Sequence, residues 1–234
     1  MQKVNILGMS LTDYSLREAI GITDRFLGEG SLNMILFISA KILVGAGNSA
    51  EQQEWIAGAD LIVWSDAEIV RRAGITAKGR IHEVENQDYI KEMLKLLGRG
   101  KKPVCLLAES GEELEKLEYD LKSVRDDLNI VGGGIAGDVE AEWDNAANLI
   151  NEFAPAAIIS RMPFERQARL AGRIKRFLNA DIWLALDSEM VPDNGRVSFP
   201  RRLLGKWYHL LFQKLLTEYH HEDGQNREAD TEPK

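Results

Sequence analysis

The sequence predicts an α/β fold on a largely parallel sheet. Two observations carry this expectation. Short apolar runs alternate along the chain with stretches of helical periodicity, the order expected of strand–helix–strand units. Several of the runs are continuously apolar rather than alternating, as in strands covered on both faces.

The expected strands are Val4–Leu7, Met34–Ile38, Leu61–Trp64, Val104–Leu107, Asn129–Val131, Ala156–Ser160 and Ile182–Leu186. The first helix is announced by Ser15-Leu16-Arg17-Glu18, a capping box in which the Ser15 side chain accepts a backbone N–H and Glu18 reaches back. Leu16, Ala19, Ile20, Thr23, Phe26 and Leu27 continue it as an apolar stripe. Ser49-Ala50-Glu51-Gln52 and Ser110-Gly111-Glu112-Glu113 repeat the start signal, and Leu114, Leu117, Leu121 and Val124 make a second stripe. A last helical pattern, Arg201–Tyr219, follows Pro200 with no strand after it and reads as an appendage on the sheet core.

A chain of 234 residues with 44% hydrophobic and 28% charged residues can bury a sizeable core. Asp and Glu outnumber Lys and Arg by 37 to 29, for a net charge of −8, which argues against a nucleic-acid partner. The single cysteine, Cys105, excludes an intramolecular disulfide and a cysteine-rich metal site, and it reads as a buried strand residue. Neither a signal peptide nor a membrane-length apolar run is evident, so a cytoplasmic location is expected.

Charge is concentrated toward the C-terminus. Residues 196–217 carry Arg196, Arg201, Arg202, Lys206 and Lys214 with Trp207 among them and no acid, a pattern suited to an amphipathic helix on anionic headgroups or to a helix docked on its own domain. Residues 218–234 are strongly acidic and read as a solvated, disordered tail. The expected organisation is therefore a sheet domain over residues 1–195, the basic helix over 196–217 and the tail.

The individual chemical signals are modest. Gly132-Gly133-Gly134-Ile135-Ala136-Gly137 spells a dinucleotide fingerprint, but late in the chain and directly before Asp138, so a permissive loop is the expected reading. Asp66 follows the run Leu61–Trp64 and so falls at the carboxyl end of a strand, where open α/β sheets bind ligands. There it can act as a general base or cap the next helix. His220-His221-Glu222-Asp223 lies in the polar tail and reads as a solvated run, and His82-Glu83-Val84-Glu85 lacks metal-ligand spacing on one helix face.

Taken in order, these pieces resemble the WecG/TagA/CpsF family of bacterial glycosyltransferases. The resemblance runs from Val4 to about Leu216. It rests on Val4-Asn5-Ile6-Leu7-Gly8 with Thr12-Asp13-Tyr14-Ser15, on Ser39-Ala40-Lys41-Ile42-Leu43, and on Ala59–Asp66 followed by Arg80. It continues through Val104–Leu107, Leu128–Gly132, Pro155–Ile159 with Met162-Pro163, and Pro200-Arg201 leading to Trp207. The resemblance implies a Rossmann-like fold with a membrane-associating C-terminal appendage. It implies transfer of a hexose or N-acetylhexosamine from a UDP-sugar to a polyprenyl-diphosphate-linked acceptor at the inner membrane face, in cell-surface polysaccharide synthesis. No metal or other cofactor is implied. Asp66 matches the family's proposed catalytic base, and Arg80 an arginine suited to the departing diphosphate. Substrate contacts are expected at Ser39, Ala108, Glu109, Pro163, Glu165 and Gln167, and membrane contacts at Arg201, Arg202, Lys206, Trp207 and Lys214. Protein partners consistent with the resemblance are a second copy or a partner glycosyltransferase.

The family pattern is altered at several polar positions. Thr-x-Asn-Ala-Glu is here Phe37-Ile38-Ser39-Ala40-Lys41, and Pro-Asp-Gly is Ser65-Asp66-Ala67. Gly-Gly after the central strand is Ala108-Glu109, Pro-x-Gln-Glu is Pro163-Phe164-Glu165-Arg166, and a late Gly-Gly is Asp187-Ser188. A Glu109 beside a diphosphate repels it unless a base offsets the charge. Three functions follow: a transferase with altered substrates, a catalytically inactive homologue that binds a partner or glycan intermediate, or another small-molecule binding module.

Overall fold

The computed structural model describes residues 2–47, 49–190 and 192. The basic helix and acidic tail expected after residue 195 lie outside these residues, and so do Arg201, Arg202, Lys206, Trp207 and Lys214.

The chain opens with two strands, β1 (Gln2–Ile6) and β2 (Met9–Asp13), paired antiparallel with Ile6 opposite Met9. Leu7 and Gly8 between them both have positive φ, 50° and 76°, as a two-residue type I′ hairpin turn requires. Gly8 takes this conformation at no steric cost, and Leu7 is held in it by burial at 8% exposure. Val4–Leu7 was expected as a strand of the parallel sheet. It belongs instead to this separate ribbon, whose second strand ends at Thr12-Asp13.

After α1 (Leu16–Phe26), whose Ser15–Glu18 capping box forms as expected, the parallel sheet begins. Its elements in order are β3 (Asn33–Ile38), α2 (Ala40–Ala46), α3 (Ala50–Ala57), β4 (Leu61–Trp64), α4 (Ala67–Arg72), α5 (Lys78–Glu85), α6 (Asp88–Arg99) and β5 (Val104–Ala108). There follow α7 (Gly111–Val124), β6 (Ile130–Ile135), α8 (Trp143–Glu152), β7 (Ala157–Arg161), α9 (Phe164–Ile174) and β8 (Ile182–Leu186). The six strands from β3 on lie in the order β4-β3-β8-β7-β5-β6, each parallel to its neighbours. This is the expected Rossmann-like α/β architecture.

Both faces of the sheet are covered, which explains the continuous apolar runs. Leu36 and Ile38 pack with Leu43, Ile56, Ile150 and Ile174 from α2, α3, α8 and α9. Ile35 and Phe37 face the other way, toward Phe26, Ile90, Met93, Leu94 and Leu117 from α1, α6 and α7. Cys105 is fully buried, and burial pushes its thiol up to about 11.

The triple glycine corrects a second expectation. Gly132–Gly134 is not a loop; it lies within the edge strand β6. A Cβ on Gly133 would stand 2.8 Å from the Leu106 carbonyl oxygen, and one on Gly132 would strike the Phe153 ring. The glycines let β6 close on β5 and on the end of α8, which is a packing requirement rather than a need for mobility.

Candidate active site at the carboxyl edge of the sheet

All six parallel strands end on one edge, and that edge gathers most of the expected site residues. Ser39 follows β3, Asp66 follows β4, Ala108 ends β5 with Glu109 next, and Pro163 and Glu165 lie just after β7. The strand order reverses between β5 and β7. From β5 the chain leaves through α7 toward β6, and from β7 it leaves through α9 toward β8 on the opposite side. Such a switch point opens the crevice in which α/β sheets bind ligands. Asp66 stands at the far edge strand, four strand spacings from β5, or about 19 Å at ~4.8 Å each.

Each rim residue has a local reason for its place. Ser39 is the N-cap of α2 and accepts the Ile42 N–H at 3.3 Å. Asp66 is the N-cap of α4, its Oδ1 accepting the Glu68 N–H at 2.9 Å. The capping role read from sequence is thus present, and the half-buried carboxylate still stands at the rim. Ala108 is fully buried, whereas Pro163 and Glu165 are exposed.

Glu109 is offset by a base, but not by Arg80. The Arg166 Nε lies 2.9 Å from the Glu109 carboxylate, and the same guanidinium reaches Asp138 at 2.5 Å. A parallel arrangement joins β3 to β8: Lys41 Nζ lies 3.8 Å from Asp187 and 2.6 Å from Glu189. The added acid and the reversed charge of the altered motifs therefore meet each other in space. Burial pushes the Asp187 carboxyl above its ordinary value, against the pull of Lys41 and of the Ser188 and Phe164 N–H groups. The Phe164 contact lets Asp187 serve the first turn of α9, where Pro163 has no side chain able to cap.

Arg80 stands beside the end of β4, lining a small cleft with Val63 and Trp64. Its Nε and Nη2 donate to the two oxygens of Asp13 on β2, at 2.8 to 3.3 Å, and Nη1 donates to Glu83 at 3.3 Å. Glu83 also accepts the Leu16 N–H that opens α1. The guanidinium thus ties the hairpin and α1 to α5. Two carboxylates face one guanidinium, so the cluster carries a net −1.

Gln167 is fully buried. Its Oε1 accepts from Ser160 Oγ, and its Nε2 donates to the carbonyls of Met162 at 3.0 Å and Leu186 at 2.7 Å. Trp183 Nε1 donates to Ser160 Oγ at 2.7 Å. Every polar atom of the Gln167 side chain is engaged, so it clasps the ends of β7 and β8 from beneath the rim rather than facing a ligand.

One site residue had no signal in the sequence reading. Arg161 ends β7 at the switch point, is 4% exposed, and pairs with Asp120 of α7, with Glu113 3.9 Å away. A cavity of about 630 Å³ opens beside it, and its walls include Lys116 and Ser188. An arginine in an apolar strand reads as an interruption, and only the approach of α7 explains it. Among the described residues, no cluster of three or more His, Cys, Asp or Glu could hold a metal ion, and no helix is long and apolar enough to cross a membrane.

Residues 4–188 match the glycosyl transferase WecG/TagA/CpsF family, and the chain belongs to that family. No curated protein matches the chain.

Proposed function

We propose that this glycosyltransferase-family protein transfers a hexosyl or N-acetylhexosaminyl group from a UDP-sugar to a polyprenyl-diphosphate-linked acceptor in cell-surface polysaccharide synthesis. The observation that supports this best is the position of Asp66, a half-buried carboxylate on the rim shared by Ser39, Glu109 and Pro163. In this reading the donor lies along the rim. Its nucleotide end is over the β5–β7 crevice, near Ala108, Glu109, Pro163 and Glu165, and its sugar end points toward Ser39 and Asp66. The acceptor hydroxyl attacks the anomeric carbon while the bond from that carbon to the diphosphate oxygen breaks. Asp66 takes the hydroxyl proton, and UDP departs with the bonding pair. Arg80 would meet the diphosphate through the two N–H groups not already committed, against the net negative charge of its own cluster. Gln167 would act from beneath by holding the β7 and β8 ends in place. The reading includes no metal or other cofactor.

The basic segment Arg201–Lys214 would hold the enzyme on the cytoplasmic face of the membrane through anionic headgroups. Deleting residues 196–234 should then reduce sedimentation with anionic liposomes, and undiminished binding would rule that anchor out.

A second reading is favoured by one observation: the rim charges are satisfied among themselves, Glu109 by Arg166 and Asp187 by Lys41. A catalytically inactive homologue that binds a partner enzyme or glycan intermediate would keep such a closed rim. Isothermal titration with UDP, UDP-N-acetylglucosamine, UDP-N-acetylmannosamine and UDP-glucose decides between them. Micromolar binding supports the transferase; absence of heat with all four supports the partner-binding homologue.

A further inference from the structure

We propose that the cavity between the N-terminal hairpin and α3 binds a neutral, hydroxyl-rich ligand, a pyranose or short oligosaccharide, at a site separate from the Asp66 rim. The cavity measures about 600 Å³, within the ~300–1,000 Å³ usual for small-ligand sites. It runs from the hairpin turn at Gly8 and Met9, along Gln53, Glu54 and Ala57 of α3, to the start of β4.

Its chemistry selects the ligand class. No Lys, Arg or His lines it, and the nearby Lys175 is spent on Asp60, its Nζ 3.9 Å from that carboxylate, so a phosphate or carboxylate group would meet Glu54 and Asp60 with no counter-charge in the lining. Asp60 is already committed, its Oδ2 accepting the Met34 N–H at 2.7 Å. The Glu54 carboxylate takes no ion pair or side-chain hydrogen bond among the described residues. An uncommitted carboxylate accepts strong hydrogen bonds from adjacent hydroxyls. Ser10 and Thr12, on the solvent face of β2, and Tyr14 carry hydroxyls that donate or accept, and the half-buried Ile62 of β4 offers an apolar surface for the C–H face of a sugar ring. The main chain adds to this. Strands β2 and β4 both line the cavity, and each has a hydrogen-bonded strand neighbour on one side only. Main-chain donors and acceptors without a strand partner therefore lie beside it. A single free carboxylate among neutral groups favours an uncharged polyol over a polycation.

The test is a titration of the full chain, followed by calorimetry, with D-glucose, N-acetyl-D-glucosamine and tri-N-acetylchitotriose. Glucose 6-phosphate and glucosamine serve as charged controls. Saturable binding of at least one neutral sugar is expected. It should be lost in Ala57→Trp, which fills the mouth from an exposed position, and weakened about tenfold in Glu54→Gln by loss of a charge-assisted hydrogen bond. It should be unchanged in Asp66→Asn and in saturating UDP, so the result stands or falls independently of the proposed transfer reaction. Thermal melts of both cavity variants check folding, and should Ala57→Trp fail to fold, Glu54→Gln alone decides. The proposal is overturned by absence of saturable neutral-sugar binding, by binding that survives the decisive variant, or by tighter binding of either charged control.

Discussion

Arg166 on α9 holds the Glu109 carboxylate at 2.9 Å across the crevice between β5 and β7. The two residues are far apart in sequence, and each departs from the family pattern in a sense the other corrects. An acid stands where the pattern has glycine, and a base where it has glutamate. The pair removes the repulsion that a lone Glu109 would exert on a diphosphate, and it places a half-buried guanidinium at the switch point.

Removing Glu109 frees the Nε side of that guanidinium for a ligand, while its Nη2 stays on the exposed Asp138. Glu109→Gly should tighten UDP binding about tenfold, close to 1.4 kcal/mol, and Arg166→Glu should weaken it at least as much. Titration calorimetry reads both, and equal affinity in the three proteins would place the nucleotide elsewhere.

Asp66→Asn should abolish sugar transfer while leaving the thermal melt within a few degrees. Asparagine caps a helix as well as aspartate does, so the bond to the Glu68 N–H survives while the base is lost. Chelating agents should leave wild-type turnover unchanged. Retained transfer in Asp66→Asn would assign the base to another residue.

Arg80→Ala should act on stability whatever it does to activity. It leaves Asp13, 7% exposed, without its guanidinium and unties the hairpin from α5. Loss of one partner of a buried pair costs about 3 kcal/mol or more, which lowers the melting temperature of a chain this size on the order of 10 °C. The double variant Asp13→Asn/Arg80→Ala should recover part of that loss, since the more deeply buried of the two carboxylates is then no longer charged and only the half-buried Glu83 is left without the guanidinium.

Asp187 gives a pH signature. Its carboxyl is pushed above the ordinary 3.8 in the folded protein, chiefly by burial. The folded state then holds the proton more tightly than the unfolded chain, so this group's contribution to stability falls as pH rises from about 4 through the folded-state pKa. Asp187→Asn should therefore melt higher than wild type at pH 7, and the gap should close at pH 4 and below. Asparagine keeps an acceptor for the Phe164 N–H, and the Lys41 contact it gives up is a long one, 3.8 Å, from an ammonium that stays paired with Glu189 at 2.6 Å. A constant difference across that range would contradict the burial effect.

The sequence by itself determined the α/β class, the central strands and the capped helices, because apolar continuity, capping boxes and strand length are local signals. It also located Asp66 at a strand end, since a residue just past a buried parallel strand must emerge on the carboxyl edge, whereas Ser39, Glu109, Pro163 and Glu165 were expected at the site only from the family resemblance. Tertiary structure alone decided what those residues face. The hairpin left the sheet because a two-residue turn at Leu7 and Gly8 sends the chain back on itself. Gly132–Gly134 became strand because neighbouring backbone and the Phe153 ring come too close for side chains. Gln167 turned inward because Ser160, Met162 and Leu186 offered it partners for every polar atom. The ion pairs Glu109–Arg166, Lys41–Asp187 and Asp13–Arg80 join segments from separate parts of the chain, and no local pattern encodes a distance. Coulomb attraction in a partly desolvated rim depends on that distance, so their charge balance became visible only when the chain was folded.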